Sequence, residues 1–111
     1  MGYSEETTFR GDSGTVYRFE VHDLRSRFRN VEGVYSFAKK MRSPAGGLVF
    51  LPLYIGQTPE LGARLREHEK LTAVALAGCD SICVMPGADE ARRREIVADL
   101  LAAHMAPCNE R

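Results

Sequence analysis

A tyrosine, an arginine and a histidine follow one another in a pattern that would place them on one surface. Tyr54 lies in Pro52-Leu53-Tyr54-Ile55-Gly56-Gln57-Thr58, and Arg64 and His68 stand four residues apart in the segment that follows, 59–68. Four residues are about one helical turn, so on a helix the guanidinium and the imidazole border the same face. These side chains combine a permanent cation with two groups able to donate or accept a proton. The local sequence predicts the required strand, turn and helix. Leu51, Leu53 and Ile55 alternate, Gly56 permits a sharp exit, and Thr58 suits an N-cap, Pro59 the first helical position and Glu60 the first turn. A helix is expected from about Pro59, with Leu61, Leu65 and His68 on its inward stripe.

The rest of the chain must supply the frame. Residues 33–38 read as a strand with Tyr35 and Phe37 on one face, residues 39–47 carry the turn chemistry of Ser43-Pro44-Ala45-Gly46-Gly47, and residues 48–55 return as the partner. Such a hairpin brings Tyr35 near Tyr54. Pro52 cannot donate a ladder hydrogen bond, so the second strand is expected at an edge or bulged there. Upstream, residues 1–14 lack periodicity and are expected to be a flexible arm or a short edge element, ahead of a single domain over 15–111. Residues 15–21 form a half-buried strand with Tyr17, Phe19 and Val21 inward. Downstream come a short helix over 71–77 stopped by Gly78, a strand over 81–85, and a final helix over about 89–103. Its inward stripe is Ile96, Val97, Leu100, Leu101 and His104, with Arg92, Arg93 and Arg94 facing largely outward. The predicted class is α/β, a small, mostly antiparallel central sheet flanked by helices, with an added N-terminal strand.

Composition sets limits. The 111 residues are 44% hydrophobic and 27% charged, values of one ordinary globular domain, without a membrane-spanning apolar run or a signal-peptide pattern. No membrane partner is expected, and the expected location is cytoplasmic. Three cysteines do not make a disulfide framework; Cys79 and Cys83 lack the further ligands of a zinc site and read as buried thiols. The 15 basic residues balance 15 acidic ones, which removes any global pull toward nucleic acid. Between Arg10 and Arg42, however, eight basic residues face four acidic ones. Arg25, Arg27 and Arg29 share a parity and, in an extended segment, would point the same way. With Lys39, Lys40 and Arg42 they are the candidate backbone-contacting residues, although solvated loop charge would look the same.

Gly33-Val34-Tyr35 followed by Tyr54-Ile55-Gly56 resembles the paired motif of the GIY-YIG nuclease superfamily. Arg64 corresponds to the family's helix arginine, eight positions after the second glycine, and His68 to a histidine that some members carry one turn later. Leu100-Leu101 and Pro107-Cys108-Asn109 resemble the closing helix and its Asn-bearing tail. The likeness runs over about residues 33–109, and several motif parts in order are more specific than one triplet. Tyrosines in a hairpin are otherwise well explained by packing; their place in this motif favours chemistry instead.

The resemblance implies a nucleic-acid partner, DNA foremost, and a role for each residue. Tyr35 would be the general base or water-positioning phenol, Tyr54 a second phosphate-site phenol, Arg64 the phosphate clamp, and His68 an auxiliary proton-transfer or phosphate-binding group. The family's reaction uses a divalent cation, Mg²⁺ or Mn²⁺, on a glutamate of the closing helix. Here that position is Val97, and its neighbours Glu95 and Asp99 lie about 200° around the helix from it. A nucleic-acid-binding member with absent or impaired hydrolysis is therefore expected; the alternatives are an active endonuclease with a displaced carboxylate and a protein-interaction module on the same fold.

Overall fold

The chain forms five strands, β1 (Glu5–Arg10), β2 (Val16–His22), β3 (Gly33–Arg42), β4 (Leu48–Thr58) and β5 (Ser81–Pro86), of which β2 shows the clearest apolar alternation. The computed structural model describes residues 5–109; residues 1–4 and 110–111, at the two ends of the expected arm and domain, lie outside the described residues. The strands form one sheet in the order β1-β2-β5-β3-β4, with every pairing antiparallel. Helices α1 (Leu61–Arg66) and α2 (Leu71–Leu76) connect β4 to β5, α3 (Glu90–Ala103) follows β5, and a 3₁₀ turn spans Pro107–Asn109. The chain is α/β, a small antiparallel sheet flanked by helices.

Strand alternation divides the core into two layers. Tyr35, Phe37, Leu53, Ile82 and Val84 face α1 and α2, packing on Leu61, Leu65 and Val74. Phe19, Val21, Val34, Ala38, Ile55 and Cys83 face the other way, onto Ile96 and Leu100 of α3. The sheet curls so that α3 touches β1 as well as β3 and β4. Pro52 accounts for one irregularity. Phe37 pairs with Tyr54 but Ala38 pairs with Pro52, which leaves Leu53 as the extra residue of a bulge. Consecutive residues Leu53 and Tyr54 thereby pack on the same layer, and Tyr54 turns toward Tyr35. β4 is also an edge strand, so both expectations for Pro52 hold.

Several expectations are corrected. Of the two readings of the first residues, Glu5–Arg10 is the short edge element and not the flexible arm: it pairs with β2 over six residues and contributes buried Phe9. The hairpin strands run farther than 33–38 and 48–55, because cross-strand pairing continues to Arg42 and Leu48 at the tip and to Thr58 at the base. The helix begins at Leu61 rather than Pro59. Thr58 Oγ1 instead accepts the Glu60 N–H, and N–H groups at the start of α1 are taken by the connection between β2 and β3, Leu61 N donating to Val31 O at 2.8 Å and Ala63 N to Asn30 Oδ1 at 2.9 Å. On α3, Leu101 is exposed, whereas Arg93 is buried: its Nε donates to Gln57 Oε1 at 2.9 Å and its Nη1 to Ala88 O at 2.8 Å. Hydrogen bonding to neutral oxygens lets a guanidinium occupy a position that polarity alone assigned to solvent.

Candidate functional site

Tyr35, at 1% exposure, is anchored in β3 opposite Gly56 of β4. Its hydroxyl lies over that glycine: a Cβ placed on Gly56 would come within 2.7 Å of the Tyr35 oxygen and 2.9 Å of the Tyr54 ring. The second glycine of the motif is thus a packing requirement. Gly56→Ala is expected to destabilise by about 1–3 kcal/mol through overpacking against a ring that cannot swing aside. Chemical denaturation checks the loss, and an unchanged midpoint would show that the phenol has room to move.

His68 follows α1 and turns inward, its side chain buried. Its Nε2 is 2.7 Å from the Tyr35 hydroxyl, and its Nδ1 accepts the Lys70 backbone N–H at 3.0 Å. With Nδ1 occupied as an acceptor, the ring proton resides on Nε2 and is donated to the Tyr35 oxygen. Burial, aided by the charge of Arg64, lowers the His68 pKa to about 4, so the ring is neutral near pH 7. Burial also raises the Tyr35 phenol above its ordinary value, outweighing the opposing pull of the Arg64 guanidinium. The phenol is therefore protonated at neutral pH and is a donor before it is a base.

The rings form one cluster. Tyr54 stacks with Tyr35 at 6.1 Å between centroids, and His68 meets Tyr54 edge-on at 4.7 Å and Phe37 at 5.1 Å. Arg64 closes the group from α1, near enough to Tyr35 to bias its ionisation. The structure brings Tyr35, Tyr54, Arg64 and His68 together, but His68 lies two residues past the end of α1 and not on its stripe as expected; Arg64 and Tyr54 are the partly exposed members. The guanidinium already holds an anion. Nη1 is 2.7 Å from Glu69 Oε1 and Nη2 is 3.1 Å from Oε2, a two-point clamp that pulls the Glu69 carboxyl down to about 2. Glu69 is five residues from Arg64, beyond the end of the helix, so helical spacing gives no signal for it. Asn109 was read as part of the closing tail; in the structure it braces the site, its amide pairing with Ile55 N at 2.8 Å and Ile55 O at 2.9 Å along the free edge of β4.

The basic residues are distributed less simply. Arg25, Arg27 and Arg29 are all exposed, but Arg25 sits in a turn closed by Asp23, so the three do not form a straight comb. By alternation Lys39 belongs to the α1–α2 face, whereas Lys40 and Arg42 belong to the other. Lys40 approaches Glu5 at 3.8 Å and lies over Phe50, and Arg42 donates to Gly46 O at 2.9 Å. The six residues do not make one patch.

A hard divalent cation would require several oxygen ligands. Among the described residues no three metal-capable side chains lie together. The Glu69 carboxylate is engaged by Arg64, and Val97 packs half-buried against the α3-side core. The described residues do not fit Mg²⁺ or Mn²⁺. Among the described residues no helix is long and apolar enough to cross a membrane. The chain matches no protein-family model, no curated protein and no solved structure.

Proposed function

We propose that this chain engages nucleic-acid phosphodiesters, DNA foremost, as a GIY-YIG nuclease-like protein whose metal-dependent hydrolysis is absent or impaired. The observation that carries this reading is the Arg64 clamp beside the buried Tyr35–His68 hydrogen bond. A phosphate oxygen pair presents the same two-acceptor geometry as the Glu69 carboxylate and can replace it on the guanidinium. Tyr54, half-exposed next to the clamp, can donate to a third phosphate oxygen. His68 holds the Tyr35 ring in place and, by donating Nε2–H, leaves the hydroxyl proton to be donated on the Tyr54 side. This arrangement binds and orients; the missing carboxylate at Val97 is why turnover is not expected. Three free thiols suit a reducing, cytoplasmic setting.

Binding tests the reading. Affinity for labelled duplex is expected to be weak and to fall steeply between two salt concentrations. Arg64→Ala is expected to weaken it by about tenfold, as loss of a charge-assisted bidentate contact does. Glu69→Gln removes the competing carboxylate and is expected to tighten it several-fold. Binding that is absent at low salt, or indifferent to salt, would favour the protein-interaction role instead.

A further inference from the structure

A cavity of about 490 Å³ lies on the same sheet face as the four site residues but does not include them. Its walls are the loop around Phe28, the strand residues Phe37 and Ile82, Leu65 of α1, and α2. Phe37 is shared: one side of its ring contacts Tyr35 and His68, and it also lines the cavity. α1 is shared too, presenting Arg64 toward the tyrosines and Leu65 and Arg66 toward the cavity. The two spaces are neighbours across one aromatic ring and one short helix.

Charge narrows the occupant. No acidic side chain lines the cavity, and its exposed cations are Arg27 and Arg66. Neither guanidinium has a hydrogen-bond or ion-pair partner among the described residues. Arg10, Arg42 and Arg93 bond to carbonyl or amide oxygens, while Arg18, Arg64, Arg92 and Arg94 pair with glutamates. Among the described residues, the arginines whose guanidinium has no partner, Arg25, Arg27, Arg29 and Arg66, are those of the cavity and of the loop that walls it. An occupant with a flat apolar body and an attached anion meets both features, and the volume lies in the range of about 300–1,000 Å³ usual for such sites.

We propose that this cavity receives a nucleotide unstacked from a strand held at Arg64, its base packed against Phe28 beside Leu24 and Leu71 and its phosphate on Arg27 and Arg66. The inference rests on the phosphodiester-binding reading above and specifies its substrate class: nucleic acid with an unpaired nucleotide beside the contacted phosphate. Aromatic side chains accept any base on their faces, so the preference is for unpairing rather than for sequence.

Affinities for a paired duplex and for the same duplex with one bulged 2-aminopurine nucleotide provide the test, at one fixed salt concentration. The bulged duplex is expected to bind about tenfold tighter, the scale of one base–aromatic stack, with a change in 2-aminopurine emission on binding. Ala75→Trp, which fills the cavity from α2, and Phe28→Ala, which removes a wall, are each expected to bring the ratio of the two affinities toward one. Two variants from different elements, each checked for a cooperative melt, keep the result interpretable if one does not fold. Equal, salt-sensitive binding of both duplexes by the wild type overturns the nucleotide pocket and leaves the phosphodiester reading standing. Binding of neither overturns both. A bulge preference that survives in both variants also overturns the pocket, because the discrimination would then arise elsewhere.

Discussion

His68→Ala is expected to lower the unfolding free energy by about 3–5 kcal/mol, the scale of truncating a buried ring that also carries a hydrogen bond. Three aromatic rings, Tyr35, Tyr54 and Phe37, pack on this imidazole, so its removal opens a cavity at the centre of the site. It also removes the hydrogen bonds that His68 makes with the Tyr35 hydroxyl and the Lys70 N–H. Titration adds a signature that simple truncation lacks. The His68 pKa falls to about 4 in the folded protein, so between there and the ordinary value near 6.5 the unfolded chain binds the extra proton. Stability from this group is complete above pH ~6.5, declines as the pH falls toward about 4, and does not decline further below that. The loss amounts to at most about 3 kcal/mol over the window. Glu69 and Asp99, whose carboxyls are depressed by Arg64 and by Ser13 respectively, act in the same direction but lose their contributions at lower pH. Urea unfolding at pH 7 and pH 5 therefore isolates the imidazole. The wild type is expected to weaken over that interval, and His68→Gln, which does not titrate, to change much less. Equal pH dependence in the two proteins would place the charge-sensitive group elsewhere.

The parts of this architecture legible in the sequence are those governed by local periodicity. Tyr17, Phe19 and Val21 alternate and are buried on β2, and α3 spans Glu90–Ala103 against the expected 89–103. Tyr35 and Tyr54 meet because a hairpin must bring them together, whereas His68 reaches the group from beyond the end of α1, where helical spacing no longer applies. What was not legible depends on distant segments. β1 is polar at Glu5, Glu6, Thr7 and Thr8 and shows no strand pattern, yet pairing with β2 orders it and packs Phe9 beneath His104. Thr58 was a reasonable cap by type, but Asn30 and Val31 reach the α1 N–H groups first, and no spacing rule connects residues some thirty positions apart. Arg93 sat in a run of three arginines and appeared solvated; burial came from Gln57 and a carbonyl on other elements. The cavity was invisible for the same reason, since its wall residues come from five separate segments.

Val97→Glu bears most directly on why the site should bind without cutting. Wild-type protein is expected to show no Mg²⁺- or Mn²⁺-dependent nicking of plasmid DNA and no shift in melting temperature with either cation. Val97 is half-buried on α3 beside Ile96 and Leu100, so a carboxylate there costs roughly 1–4 kcal/mol or raises its own pKa. Arg93, one turn earlier, can offset part of that cost by pairing with the new group. The connection to the chemistry runs through β4. Arg93 holds Gln57, and Gln57 follows Gly56, over which the Tyr35 hydroxyl lies. Because β4 is the sheet's edge, α3 on one face and the tyrosines on the other approach the same short stretch of strand. The variant is therefore expected to melt lower than wild type without metal and to regain part of the difference when a divalent cation binds only the folded form. Some metal-dependent nicking should accompany that recovery. Strong nicking by the wild type would overturn the impaired-hydrolysis reading outright. A variant that folds but neither binds metal nor cuts would show that the sheet keeps position 97 out of reach of Arg64 and Tyr35. More than one side chain would then separate this site from a working nuclease.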